Sequence, residues 1–244
     1  MIATALATVG VLFAFGGAMI AAFGRRAPAA AELWPYYLSE VFIVGAVLVP
    51  AALHRDAFLA VLLAGATRCA WEVALLYRRA SRTLAGLLLA AAFPLLGAAS
   101  LAHIAWREAA FGWIFLLFAV TETQDAMAWL FGRLFGRRPI FRYLSPRKTL
   151  EGALAGIAAA VAVGTAVARL GLGLDWAVAI GCSLLIAGSG LAGDLLASLL
   201  KRSVGAKDFP PVHRLHGGLL DIYDAFLFAA IPLNAVLWIV DLAP

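Results

Sequence analysis

The chain is 244 residues long, 64% hydrophobic and 14% charged, with a formal net charge of +5 and a mean hydropathy of +0.95. Ordinary soluble domains carry about a quarter charged residues, so this composition excludes a water-soluble globule. The positive charge does not mark a nucleic-acid binder, because the cations sit in short loops between apolar runs and no basic stripe alternates with aromatics.

Eight apolar segments follow one another, each about 20 residues long, the length that crosses a bilayer. Segment 1 covers about residues 2–23 and ends at Arg25-Arg26. No basic stretch precedes it, so it is expected to remain as a span rather than be cleaved as a signal peptide. Segment 2, about residues 34–53, opens on an interfacial belt of Trp34, Tyr36 and Tyr37. Segment 3, about residues 58–77, carries Arg68 and Glu72 four apart on one face, which reads as an internal ion pair or a substrate contact. Segment 4, about residues 84–104, contains Pro94, which predicts a kink. Segment 5 runs from near Phe111 towards Phe131, and its second half, Thr121-Glu122-Thr123-Gln124-Asp125, is very polar for a span. A basic loop fills about residues 132–148.

Segment 6, about residues 150–170, holds Gly152 and Gly156 in G-x-x-x-G spacing. That spacing serves close helix packing within a monomer as readily as in a homodimer, and both stay open. Segment 7 covers about residues 174–200, with Gly188, Gly190 and Gly193 ahead of Asp194, and segment 8 about residues 219–240. Cys69 and Cys182 lie inside apolar segments and imply neither a disulfide framework nor a metal site. The expected fold is all-α: a polytopic transmembrane helical bundle of about eight spans, one integral membrane domain over residues 1–244.

Of the 19 Lys and Arg, fifteen fall in the loops after segments 1, 3, 5 and 7 and three in the loops after segments 2, 4 and 6. The positive-inside rule then places both termini outside the cytoplasm and the basic loops inside it. Asp125 and Asp194 lie about 10 Å below those loops at 1.5 Å per residue. Charges at that depth are costly unless they line a wet cavity or hold an ion. The expectation is a polar cavity open to the cytoplasm and walled by segments 5 to 8.

The chain is organised around residues 194–224, which hold Asp194, Ser198, Lys201-Arg202, Lys207-Asp208, His216-Gly217-Gly218, Asp221 and Asp224. Asp221 and Asp224 share a helix face, and Asp194 joins them if segments 7 and 8 pack together. Hard oxygen ligands of this kind suit Mg²⁺ carrying a polyphosphate. His213 and His216 invite zinc, but no Cys lies near them.

These residues resemble the signature of the phosphatidate cytidylyltransferases, also called CDP-diacylglycerol synthases. That signature has a Gly-Asp pair, a Ser, a Lys-Arg pair, a Lys-Asp pair, a Pro-Gly-His-Gly-Gly run and Asp-Arg-x-Asp. Gly193-Asp194, Ser198, Lys201-Arg202, Lys207-Asp208, His216-Gly217-Gly218, Asp221 and Asp224 match it in order. Upstream, Ser145-Pro146-Arg147-Lys148-Thr149-Leu150-Glu151-Gly152 matches a Ser-Pro-Lys-Lys-Thr-x-Glu-Gly motif with one Lys replaced by Arg. Asp125, Ala128-Trp129 and Gly132-Arg133 resemble an Asp-x-x-Ala-Tyr…Gly-Arg stretch. The departures are Arg214-Leu215 where the family has Pro-Gly, Ile222 where it has Arg, and Ala197 where it has an acid. The resemblance covers about residues 120–232, the expected catalytic half.

The resemblance implies a reaction at the cytoplasmic face of a bacterial inner membrane: CTP plus a membrane lipid phosphate, phosphatidic acid first, giving CDP-lipid and pyrophosphate. Asp194, Asp221 and Asp224 are the expected Mg²⁺ ligands, with Lys201 and Ser198 beside them in the catalytic set. Asp125, Arg147, Lys148, Arg202, Lys207, Arg214, His216, Gly217 and Gly218 are the expected contacts to CTP and lipid phosphate. The bland readings are a helix cap or loop ion pair for Asp224, and anionic headgroups facing Arg133, Arg137, Arg138, Arg142 and Arg202. Two other classes stay open: an enzyme activating or phosphorylating another lipid or polyprenyl phosphate, and an ion-coupled carrier. A carrier would show midplane charges and symmetric halves, whereas here the charges sit at one face and in one half.

Overall fold

The computed structural model describes residues 2–24, 34–80, 83–141, 143–212 and 217–242. Among these residues eight helices run in chain order: α1 Ile2–Gly24, α2 Trp34–Leu53, α3 Arg55–Arg79, α4 Leu84–Ile104, α5 Ala110–Phe135, α6 Leu150–Leu172, α7 Trp176–Ser203 and α8 Leu219–Leu242. The protein is a polytopic helical bundle, as its composition demands. Among the described residues seven helices are long and apolar enough to cross a membrane, and in α2 the apolar stretch is the shorter Tyr37–Leu53. Every backbone amide in hydrocarbon needs an internal acceptor, so an apolar chain of this length closes into helices.

The helix ends follow local chemistry. Thr83 and Thr149 cap α4 and α6, their hydroxyls accepting from Gly86 N and Gly152 N. Gly173, at φ +68°, ends α6 in the left-handed conformation that a side chain resists. Several helices outrun their apolar segments: α3 runs to Arg79, α5 past Arg133 and α7 through Lys201 and Arg202. α4 continues as one helix through Pro94. Arg25 and Arg26 lie outside the described residues.

The basic loop is not only a loop. β1 (Pro139–Phe141) and β2 (Ser145–Thr149) pair antiparallel, Pro139 opposite Thr149 and Phe141 opposite Ser145. Glu151 ties the base of this hairpin to α6 by accepting from Arg137 N at 3.0 Å and Arg138 N at 3.2 Å. The strand Ser145–Thr149 thereby delivers Lys148 at a fixed point beside the helix ends.

α5 lies along α6, α8 packs on α7 and α4, and α6 joins α7. Small residues set these contacts, as expected where packing rather than water drives helix association. A side chain at Gly152 or Gly156 would collide with α5 backbone at Ala128 O or Gln124 O. The G-x-x-x-G spacing is therefore used inside the chain. Gly193 meets Phe228 and Asp224 O on α8, and Gly97 meets Leu227 O. The core is densest around α5, with Phe115, Leu116, Leu117 and Val120 fully buried. Both cysteines are free and buried. Exposed apolar side chains such as Phe42, Leu63, Leu154 and Ile239 ring the bundle. That surface suits hydrocarbon, not water.

Candidate active site

Two lysine–aspartate pairs stand at one end of the bundle. Lys148 Nζ from β2 meets Asp194 Oδ2 on α7, each side chain about a quarter exposed. Lys201 Nζ near the end of α7 meets Asp221 Oδ1 on α8 at 2.5 Å. This second pair is the drier one, with side-chain exposures of 11% and 9%. Ser198 is buried one turn beyond Asp194 on the same face of α7. Asp224 is buried a turn below Asp221, and its Oδ1 accepts from Ala225 N at 2.6 Å. Residues far apart in sequence (148, 194, 201, 221 and 224) thus meet because α7 and α8 pack together and the hairpin folds back over α6.

The first turn of α8 is organised by two carboxylates. Asp221 Oδ2 accepts from Gly218 N at 2.9 Å and from Phe209 N at 2.8 Å. Glu72, with no exposed surface, accepts from Leu219 N at 2.8 Å and Leu220 N at 3.0 Å. The amides after Gly217-Gly218, which the sequence offers to a phosphate, already have these protein acceptors. Gly217, at φ +78°, makes the turn, and a side chain there would strike Asp221 Oδ2. Gly218 has no room for a side chain between Glu72 and Phe209. The two glycines serve the turn that brings Asp221 to Lys201.

More acids face this site than the motifs name. Asp125, exposed on α5, interacts electrostatically with Lys148 and with Asp224. Glu122, one turn earlier on α5, and Glu40 of α2 belong to the same connected set. Glu122 was visible in the polar run of segment 5. Glu40 was hidden, a lone acid in an apolar helix. Burial holds the Lys148 ammonium below the ordinary lysine range, against the pull of Asp125 and Asp224. Tyr223 on α8 donates to Ile43 O at 3.0 Å and ties this wall to α2.

The remaining expected contacts lie further out. Arg147 and Lys207 are exposed, and Arg202 is exposed with its guanidinium on Ala206 O at 2.8 Å. Arg214, His216, His213 and Arg142 lie outside the described residues. Arg68 and Glu72 form the internal pair that their spacing allows, Nε to Oε1 at 2.9 Å.

Among the described residues no three His, Cys, Asp or Glu side chains converge as a ready ligand set. The donors at hand are hard carboxylate oxygens, two of them already facing lysines. Mg²⁺ is commonly held by one or two carboxylates together with substrate phosphates. The donor set fits a cation that arrives with a polyphosphate.

The sequence profile of the cytidylyltransferase family matches residues 2–240. The chain is 40% identical over 129 residues to a phosphatidate cytidylyltransferase of Helicobacter pylori, 53% of this chain and 48% of the relative. It is 31% identical over 132 residues to a phosphatidate cytidylyltransferase of Staphylococcus aureus, 54% of this chain and 51% of the relative. The chain spans about half the length of the relatives it matches.

Proposed function

The chain belongs to the cytidylyltransferase family, and on that premise we propose that it transfers the cytidylyl group of CTP to a membrane lipid phosphate. The lipid phosphate is phosphatidic acid and the product CDP-diacylglycerol. An oxygen of the lipid phosphate forms the new bond to the α-phosphorus of CTP. The bond from that phosphorus to the bridging oxygen breaks, and pyrophosphate leaves with the electron pair. The nucleophile is already anionic at neutral pH, so no strong base is required. What the reaction needs is a place where two polyanions approach each other and charge on the leaving group is neutralised.

The observation that carries this reading is the pair of lysines, each held on a carboxylate within one polar layer. Lys148 and Lys201 supply two charges fixed in direction by Asp194 and Asp221. An ammonium has three donors, so each lysine bonds a phosphate oxygen while keeping its aspartate. Ser198 adds a hydroxyl beside Asp194, and Asp125 and Asp224 draw Lys148 toward its charged form against the pull of burial. Arg147, Arg202 and Lys207 at the rim draw in nucleotide and headgroup as screened surface charges. Asp194, Asp221 and Asp224 would hold Mg²⁺. When bound, the ion neutralises the pyrophosphate as it departs.

The site faces the cytoplasm in this reading, since the fifteen-to-three loop charge asymmetry puts the hairpin and the 204–218 loop there. The membrane in this reading is the inner (plasma) membrane of a bacterium. Single cysteines placed in each loop test the orientation: labelling at Ile140 only from outside the cell would reverse it. Purified protein assayed with CTP, ATP and a panel of lipid phosphates tests the chemistry. Mg²⁺-dependent pyrophosphate release with CTP and phosphatidic acid is expected. Transfer of the γ-phosphoryl group of ATP to the lipid, with ADP released, would instead place the protein among lipid kinases.

A further inference from the structure

We infer that Glu72 and Arg68, on α3, are positioning residues for the α7–α8 site, and that the catalytic machinery extends beyond residues 120–232. The inference rests on the cytidylyltransferase reading for what the site does, and on the geometry alone for what α3 does.

Helix N-termini leave amides without helical partners. In α8 two of them, Leu219 N and Leu220 N, bond the fully buried carboxylate of Glu72. A third, Gly218 N, goes to Asp221 Oδ2, which also takes Phe209 N. The two carboxylates thus divide the start of α8 between them. Asp221 is placed by a turn whose other amides are placed by Glu72. Gly218 fits between Glu72 Oε2 and Phe209 Cβ with no room for a side chain, so the carboxylate also sets where the turn passes.

Arg68 makes the arrangement a clamp. Its Nε holds Glu72 Oε1 at 2.9 Å, and its Nη2 reaches across to Pro210 O at 3.2 Å and Pro211 O at 3.5 Å. Those prolines follow Phe209, whose amide is on Asp221 and whose ring lies 5.4 Å from Lys201 Nζ. Val212 N donates to Gly217 O at 2.8 Å and closes the same loop. One turn further along α3, the Tyr77 and Ser203 hydroxyls meet at 3.1 Å, which fixes the end of α7 just past Lys201. Cys69 of α3 lies within electrostatic reach of Asp224. One helix therefore holds the segments that carry both partners of the Lys201–Asp221 pair, through bonds to the backbone and to Ser203 rather than to the pair itself. A buried carboxylate with a full set of donors is well suited to this, because its hydrogen bonds define direction.

A merely structural α3 predicts that its loss loosens the whole bundle. A positioning role predicts local loosening at the start of α8 and a fall in turnover. The test uses the full chain in phospholipid vesicles, as Glu72→Gln, Glu72→Ala and Arg68→Lys, with Arg78→Ala, exposed on the same helix, as control. Amide hydrogen exchange is followed in peptides covering residues 217–222 and, for comparison, α5. Thermal midpoint, kcat and KM for CTP are measured on the same samples. Expected is faster exchange at 217–222 with α5 unchanged, kcat lower by about 10-fold or more in Glu72→Ala, and KM for CTP little moved. Glu72→Gln, which keeps one acceptor oxygen, should recover part of both. Unchanged exchange at 217–222, or exchange that rises equally in α5, overturns the inference. If Glu72→Ala fails to fold, Glu72→Gln and Arg68→Lys decide by the same criteria. A wild type without CTP-dependent turnover sinks the cytidylyltransferase reading, and the exchange data still decide whether α3 positions α8.

Discussion

Arg68 and Arg107 each join a carboxylate to backbone carbonyls, whereas Lys148 and Lys201 each place one ammonium against a carboxylate of another element. Arg107, at the opposite end of the bundle, donates to Asp241 Oδ1 at 2.6 Å and to Leu237 O at 3.0 Å in the last turns of α8. A guanidinium is a rigid fork whose several donors are satisfied together. Once docked on a carboxylate and a helix end, it has little left to offer a ligand. An ammonium is a compact point charge with rotatable donors. It can hold an aspartate and still turn to a phosphate. The arginine pairs at both ends of α8 anchor that helix, and the lysine pairs beside it are available for chemistry.

The strongest way to break this contrast is to remove the carboxylates behind the lysines. Asp194→Asn and Asp221→Asn should each lower CDP-lipid formation on the order of 10²-fold or more. They should differ in stability. Asp221 is nearly dry and also serves two amides, so its loss leaves buried Lys201 without its paired carboxylate, a cost of several kcal/mol by analogy with other buried pairs. Asp194–Lys148 is a quarter exposed, and Asp194→Asn should melt close to wild type. Activity and melting temperature taken on the same samples check both. Normal turnover per folded molecule in Asp194→Asn would make that pair a structural link.

A smaller effect separates lysine from arginine directly. Lys148→Ala should reduce CTP use by about 10- to 100-fold. Lys148→Arg should not restore full activity, since a fork already satisfied by Asp194 turns poorly to phosphate. The pH profile gives the sign. Burial lowers the folded-state value of Lys148, so its charge is lost as pH rises through a point below the ordinary lysine range. Activity should fall there, and in Lys148→Arg that alkaline limb should move upward. Between the lowered and ordinary values the unfolded chain binds more protons, so folding stability contributed by this group rises with pH while activity falls. An alkaline limb at the same pH in both proteins would take Lys148 out of the site.

The arginine side of the contrast predicts the reverse pattern. Arg107→Ala removes a contact to the end of α8 and a pair whose aspartate is half exposed. It should cost about 1 kcal/mol, a shift of about 2–4 °C in melting temperature for a chain of this size, with kcat unchanged. A large loss of turnover without loss of stability would contradict an anchoring role.

These contrasts were only partly legible in the sequence. The order of Asp194, Ser198, Lys201, Asp221 and Asp224 along two adjacent apolar segments was enough to place them at one end of a bundle, because hydropathy fixes where each helix begins and ends to within a few residues. Arg68 and Glu72 announced a pair by their spacing. Nothing local announced that Glu72 would accept amides from residues about 150 positions later, since that bond is made only after α3 and α8 pack. The hairpin escaped for a related reason: Pro139–Phe141 and Ser145–Thr149 are short, Pro-containing and basic, and their pairing depends on Glu151 gathering Arg137 N and Arg138 N. Glu40 carried no motif and became notable only when α2 came to rest beside α5.

The smallest predicted effect tests whether charge alone, without geometry, makes a site residue. Arg138 lies ten residues before Lys148, in the same basic stretch. If the basic loop worked as a diffuse positive field, removing either cation would weaken polyanion binding alike. The structure gives the two different work. Arg138 contributes its backbone: its N–H bonds Glu151 and its carbonyl accepts from Leu150 N at 2.9 Å. Its side chain is exposed, where salt screens it beyond about 10 Å at 0.1 M. Arg138→Ala keeps both backbone bonds and should change KM for CTP by less than about 2-fold, with the difference vanishing as ionic strength rises. Lys148→Ala should stay impaired at every ionic strength, because a partly buried charge is screened far less. Titrating salt on the two variants side by side resolves the question: parallel curves would mean that the loop acts through its total charge, and diverging curves that Lys148 acts through its place on Asp194.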